Sequence, residues 1–88
     1  MDTYKLIPPP EAKNLTELIR YLASELPNLK LNHDDYSEMR AEIATVGAQL
    51  GSSRPKRLIV QECLKTLKDL LEKAPNKTLA LKLLERIE

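Results

Sequence analysis

The only histidine of the chain stands in an acidic setting that could support proton transfer or metal binding. His33 is followed by Asp34 and Asp35, and Glu38 lies one helical turn further on. A carboxylate beside an imidazole can orient the ring and raise its basicity. However, the group lies where a helix is predicted to begin, and acidic side chains are favoured there by the helix dipole alone. No second histidine or spaced carboxylate completes a coordination sphere, so we expect neither a metal site nor catalysis here.

The single cysteine, Cys63, is the other residue with intrinsic reactivity. It cannot form an internal disulfide, and it falls on the apolar face of a predicted helix. A reactive thiol needs exposure and a cationic neighbour, so we expect a buried cysteine that serves packing. One histidine also leaves no Ser–His–Asp or Cys–His arrangement. The sequence therefore predicts a non-enzymatic chain with no cofactor and no small-molecule substrate.

Three cations, Arg54, Lys56 and Arg57, surround the start of the third predicted helix, where they oppose its dipole. Two explanations stay open. The carbonyls that end the preceding helix could compensate the charge within the fold, or the cations could bind an anionic partner surface. We take all three as candidate partner-binding residues.

The second predicted helix carries two separate faces. Its apolar residues repeat at the 3-4 spacing of a helix–helix seam, at Tyr36, Met39, Ile43, Val46 and Leu50. A separate arc consists only of small side chains, which would let another helix approach closely. Alanine is also the best helix former on a surface, and this explanation stays open beside the first. The candidate partner-binding residues on this arc are Ala41, Ala44 and Ala48.

The composition of the 88 residues predicts a single all-α domain. Phe and Trp are absent, there are three Tyr and two Gly, and Leu occupies 17 positions. Strands draw on β-branched and aromatic residues, so a β-sandwich or barrel is excluded, and two glycines do not make a phosphate loop.

Helix-terminating residues divide the chain into an extended N-terminal arm, residues 1–13, and a helical domain, residues 14–88. Three consecutive prolines, Pro8 to Pro10, favour polyproline II in the arm. Asn14 is predicted to cap the first helix, and Ser52 or Ser53 the third, with Pro55 in its first turn. The predicted helices span about 15–26, 34–50, 54–74 and 77–87. A short link makes the second and third an antiparallel hairpin, the base of a small four-helix bundle.

The net charge is +1, from 14 basic and 13 acidic residues. This balance argues against strong binding to nucleic acid or membrane over the whole surface. No apolar stretch has the length of a signal peptide or a membrane span, so we expect a cytoplasmic protein.

The stretch VGAQLGSSRPKRLIV resembles the helix-turn-helix segment of DNA-binding proteins, which places a glycine in the turn. With Gly51 as that glycine, Val46, Leu50 and Val60 fall at apolar positions of the motif. Ser52 and Arg57, however, stand where the motif also requires apolar residues. The resemblance implies a DNA-binding domain that uses Gly51–Arg57, and we keep this function as the alternative.

A second resemblance covers about residues 36–74. The pattern resembles a helical hairpin segment of uncharacterised bacterial proteins associated with conflict or defence, and it implies an interaction role without site residues. It rests on Ser53-Arg54-Pro55-Lys56, Ile59-Val60, Glu62, Leu64, Leu67 and Leu71-Glu72.

Together these features predict a protein–protein interaction module: an adaptor, an oligomerisation domain or an inhibitor-type subunit. Its expected partner is another protein or a second copy of the chain. Nucleic acid is the less favoured partner, and no membrane is expected.

Overall fold

The computed structural model describes residues 5–87, and these fold into a bundle of four α-helices. The order is α1 (Pro9–Glu25), a 3₁₀ helix (Leu26–Leu29), α2 (His33–Leu50), α3 (Arg57–Lys73) and α4 (Lys77–Ile87). No strand longer than an isolated β-bridge occurs within residues 5–87. The prediction of an all-α four-helix bundle is confirmed.

Helices α2 and α3 form the predicted antiparallel hairpin. Near the turn, the Lys56 backbone N–H donates to Gln49 Oε1 at 3.0 Å. At the far end, Lys73 Nζ lies 3.6 Å from an Asp35 carboxylate oxygen. The end of one helix therefore lies beside the start of the other, as a short connection requires.

Helix α3 is the central element, as the width of its apolar stripe predicted. It contributes more fully buried side chains than any other described helix, and the arm adds Ile7 to the same core. Helices α2 and α4 pack directly against α3, and α1 packs mainly against α2. The side chains buried to 2% exposure or less include Leu22, Leu29, Met39, Val46, Val60, Leu67, Leu70, Leu71 and Leu83.

The first helix begins earlier than predicted, so the assignment of residues 1–13 to an extended arm was wrong from Pro9 onward. Pro9 and Pro10 occupy the first turn of α1, and Asn14 is an internal residue rather than a cap. Proline is well suited to this place, because the first N–H groups of a helix have no acceptor and its φ is already helical. Residues 1–4 of the predicted arm lie outside the described residues.

The third helix begins later than predicted, because its approach is held extended. The Ile7 N–H donates to the Pro55 carbonyl oxygen at 3.0 Å, and the Arg57 N–H donates to the Lys5 carbonyl oxygen at 2.9 Å. These two bonds form an antiparallel bridge that places Leu6 opposite Lys56. The expected caps, Ser52 and Ser53, and the expected first-turn Pro55 thus belong to the turn between α2 and α3.

Asn76 fixes the junction between α3 and α4 against the 3₁₀ helix. Its backbone N–H donates to the Leu29 carbonyl oxygen at 3.3 Å, and its side-chain Nδ2 donates to the Asn28 carbonyl oxygen at 2.8 Å. From there α4 runs back along α1, where the Arg86 guanidinium carbon lies 4.8 Å from the centre of the Tyr21 ring.

Candidate functional site

The face of α2 that was predicted to receive a partner lies in solvent. Ala41, Ala44 and Ala48 are each exposed. Gly47 is also exposed, and no atom lies within 4 Å of the place where its Cβ would stand. We call Ala41, Ala44, Gly47 and Ala48 the small face of α2. Its exposure is established, whereas partner binding by these residues stays a prediction.

A shallow groove of about 200 Å³ lies between α1 and α2 at the edge of the small face. Its floor is apolar, and one of its residues, Ala44, belongs to the small face itself. A side chain from a partner seated on α2 could therefore enter between the two helices. The groove is lined by Ala23, Leu26, Tyr36, Arg40, Ile43 and Ala44.

Three of the four small-face residues, Ala44, Gly47 and Ala48, lie in the longest stretch of the sequence without a charged residue, whereas Ala41 stands between Arg40 and Glu42. Residues 43–53 contain no Asp, Glu, Lys or Arg, in a chain of which 31% is charged. Covering a charged group removes its hydration at a large cost in free energy, and this surface imposes no such cost. The second half of α2 is thus suited to burial against another surface.

The three predicted cations differ in their surroundings. Arg57 does not reach outward: its two terminal guanidinium nitrogens donate to the two carboxylate oxygens of Glu11, at 2.6 and 2.7 Å. For Arg57 the compensating group is therefore a carboxylate in the first turn of α1, rather than the carbonyls at the end of α2 that one of the two explanations named. This bidentate bond lowers the pKa of Glu11 and raises that of Arg57.

Arg54 and Lys56 lie in the turn between α2 and α3, and both are exposed. The Arg54 backbone N–H donates to Ser52 Oγ at 3.0 Å, while the Lys56 N–H is accepted by Gln49. These backbone bonds fix the course of the turn. The Arg54 side chain lies at an exposed position of that turn. Of the three predicted partner-binding cations, Arg57 has a structural partner within the chain.

A broad groove at one end of the described structure was not foreseen from the sequence. It is a groove of about 770 Å³ between the arm, the start of α1 and the α2–α3 turn, and we call it the arm–turn groove. It exists because the arm is bonded to Pro55 and Arg57, so no local sequence signal could reveal it. Its lining residues are Leu6, Ile7, Pro8, Pro9, Ala12, Lys13, Thr16, Leu50, Ser52, Ser53 and Pro55.

The acidic cluster around His33 forms the start of α2. Asn32 Oδ1 accepts the Asp35 backbone N–H at 2.8 Å, which is an N-cap, and the Asp35 carboxylate faces Lys73. Within residues 5–87, no group of three or more His, Cys, Asp or Glu side chains is placed to hold a metal ion. The described geometry places these residues in the first turns of α2, where Asn32 is the cap.

Cys63 is buried in the α2–α3 interface, with 7% of its surface exposed. Burial raises the pKa of its thiol to about 11, and hydrogen bonding to the Glu42 carboxylate adds to the shift. A thiol with such a pKa carries almost no thiolate near neutral pH, so it is a poor nucleophile.

Comparisons with protein-family models, curated proteins and solved structures gave no match for this chain. Among the helices of residues 5–87, none combines the length and apolar character needed to cross a bilayer.

Proposed function

We propose that this chain is a non-enzymatic protein–protein interaction module that binds a protein partner through the small face of α2. The observation that carries the proposal is that this face is exposed, uncharged and lined by Ala41, Ala44 and Ala48. It lies directly beside the apolar groove between α1 and α2.

The energetics of alanine and glycine support this use of α2. Burying an alanine side chain loses almost no rotamer entropy, and small residues let a partner helix approach within the ~8–10 Å typical of packed helices. The chain also has only 88 residues, so its core is small and docking to a partner adds stability by mass action.

The test is the substitution Ala44→Glu at the centre of the small face. We expect it to leave the helical circular dichroism unchanged, because glutamate is a good helix former on an exposed site. We expect it to abolish self-association in sedimentation velocity, or capture of a protein partner from the native cell. Thr78→Glu, on the exposed start of α4, is the matched control. Equal assembly and equal capture by both variants and the unchanged chain would contradict the proposal.

DNA binding by the α2–α3 turn remains the alternative, and the exposed Arg54 and Lys56 favour it. The pairing of Arg57 with Glu11 weighs against it, since that guanidinium already has an anionic partner. Fluorescence anisotropy with duplex DNA at low and high salt separates the two proposals. Salt-dependent binding that disappears in Arg54→Ala supports the alternative, and the absence of binding at low salt excludes it.

A further inference from the structure

We propose that the arm–turn groove binds an acidic segment of a partner protein that also carries apolar side chains. This inference rests on the proposed function and deepens it, because it gives the chemistry of a partner at a second surface. It concerns residues on the arm, the start of α1 and the α2–α3 turn, which are separate from the small face of α2.

The floor of the groove is apolar and firmly held. Ile7 and Pro55 are buried and joined by a backbone hydrogen bond, and Leu50 lies partly buried beside them. Leu6 leaves 42% of its surface exposed, which makes it one of the most exposed large apolar side chains in the described chain. A partner that covers this floor gains the free energy of removing apolar surface from water.

Cations border this floor. Lys13 lines the groove, Arg54 stands between the lining residues Ser53 and Pro55, and Lys5 precedes Leu6; all three are exposed. The one carboxylate between lining residues Pro9 and Ala12 is Glu11, and both of its oxygens accept hydrogen bonds from Arg57. Glu17, next to the lining residue Thr16, is the other carboxylate of the described border and is exposed, and the three cations still outnumber it. The border therefore presents net positive charge, which attracts and orients carboxylates.

The chemistry of the groove fits a protein segment better than other anions. Sites for small molecules place a few polar groups at defined, enclosed positions, whereas no polar or charged side chain of the described residues is buried. Surfaces for single-stranded nucleic acid use aromatic side chains for stacking, and among residues 5–87 no aromatic side chain lines this groove. A groove with an apolar floor and a cationic border matches a peptide in which apolar and acidic residues alternate.

The experiment selects binders from a random peptide library displayed on phage, with the intact chain immobilised. We expect the recovered peptides to be enriched in Asp and Glu next to Leu, Ile or Phe. A synthetic fluorescent peptide of the recovered sequence should bind in anisotropy, more weakly as salt rises. Recovery of basic peptides, of peptides without acidic residues, or of none at all would overturn the inference.

Two groove variants and two matched controls locate the binding. Lys13→Glu combined with Arg54→Glu should weaken the peptide about tenfold or more, since two attractions become repulsions. Ser53→Trp should block the groove. Lys65→Glu on α3 and Thr78→Trp on α4, both at exposed positions, should bind as the unchanged chain does. Equal binding by groove and control variants would overturn the inference, as would duplex DNA binding that the same groove variants abolish.

The outcome separates this inference from the proposed function. Ala44→Glu leaves the arm–turn groove intact, so it should bind the peptide normally while losing assembly through α2. If Ala44→Glu loses assembly but no acidic peptide binds, the groove proposal fails and the interaction module stands. If the peptide binds and Ala44→Glu changes nothing, the groove stands and the role of the small face fails.

Discussion

Glu11 and Arg57 form the contact that joins the start of α1 to the start of α3, although they are 46 residues apart in the chain. A bidentate carboxylate–guanidinium pair is among the better-defined of surface interactions. It also explains why three cations are tolerated near the start of α3, since one of them is neutralised inside the fold.

We predict that Glu11→Gln lowers the melting temperature by a few degrees at neutral pH and has no effect in strong acid. The folded chain holds the Glu11 carboxyl at a lowered pKa, so the unfolded chain takes up the proton first as the pH falls. The stabilisation is therefore present above the ordinary carboxyl range and is lost as the pH passes below the folded-state pKa. Thermal melts of the unchanged chain and of Glu11→Gln across this pH range measure the stabilisation. A difference in melting temperature that persists in strong acid would contradict the prediction.

We predict that Cys63 reacts with a thiol reagent near neutral pH only as fast as the fold opens. Burial keeps its pKa at about 11, so the folded chain presents neither access nor thiolate. The colour change of a disulfide reagent should be slow in buffer and immediate in denaturant. The same shift means that the unfolded chain releases its proton first above pH 9, and stability declines from there to about pH 11. Prompt labelling of the folded chain would show that the α2–α3 interface is open.

At the scale of the element, the two glycines of the chain illustrate what sequence can and cannot indicate. Gly51 ends α2 as predicted, yet its φ of −81° is right-handed, so the turn does not use the left-handed conformation that favours glycine. Gly47 lies inside α2 with open space around it. Neither glycine is required by the described backbone.

We predict that Gly47→Ala raises the free energy of unfolding by about 0.5–1 kcal/mol, because alanine restricts the unfolded chain and fits the helix. Urea unfolding followed by circular dichroism measures the change. Gly51→Ala is the comparison, with a smaller expected gain, because Gly51 is the C-cap of α2 and helix propensity acts most strongly at internal helix positions. A loss of stability in Gly47→Ala would mean that a backbone or partner approaches α2 closely at this point.

Helix periodicity predicted α2 and α4 to within a residue, because their apolar seams and terminating residues are local signals. It failed at the start of α1 and of α3, and prolines were involved both times. A proline run is compatible with an extended arm and with a first helical turn, and Pro55 is compatible with a first turn and with an extended approach. Only the hydrogen bonds between residues 5–7 and 55–57 decide between these conformations, and they form across the fold.

At the scale of the molecule, the chain is elongated, with extents of 43 × 22 × 18 Å. Its radius of gyration is 13.1 Å, against about 12 Å for a compact domain of this length. The small face and the arm–turn groove share no residue, although Ala48 and Leu50 both lie in the last turn of α2. The groove could not be predicted from sequence, because both of its walls depend on the arm being seated against the α2–α3 turn.

We predict that the narrow core makes stability sensitive to α3. Leu67→Ala should lower the free energy of unfolding by about 2–5 kcal/mol, since its side chain is fully buried and its removal leaves a cavity. Leu81→Ala, at a position that is 60% exposed, should change it by no more than about 0.5 kcal/mol. Chemical denaturation of both variants measures the contrast. Similar losses in both would mean that Leu81 is covered in solution.

The attachment of Lys5 to Arg57 also governs how the chain can be labelled. A domain fused directly to Lys5 would lie next to Leu6 and obstruct the surface that the peptide experiment is meant to measure. Immobilisation through the end of α4, where Ile87 does not line the arm–turn groove, avoids that obstruction. We expect the chain to capture less peptide when it is tethered at its amino end than when it is tethered at the end of α4. Such a difference would indicate that the arm lies beside the groove.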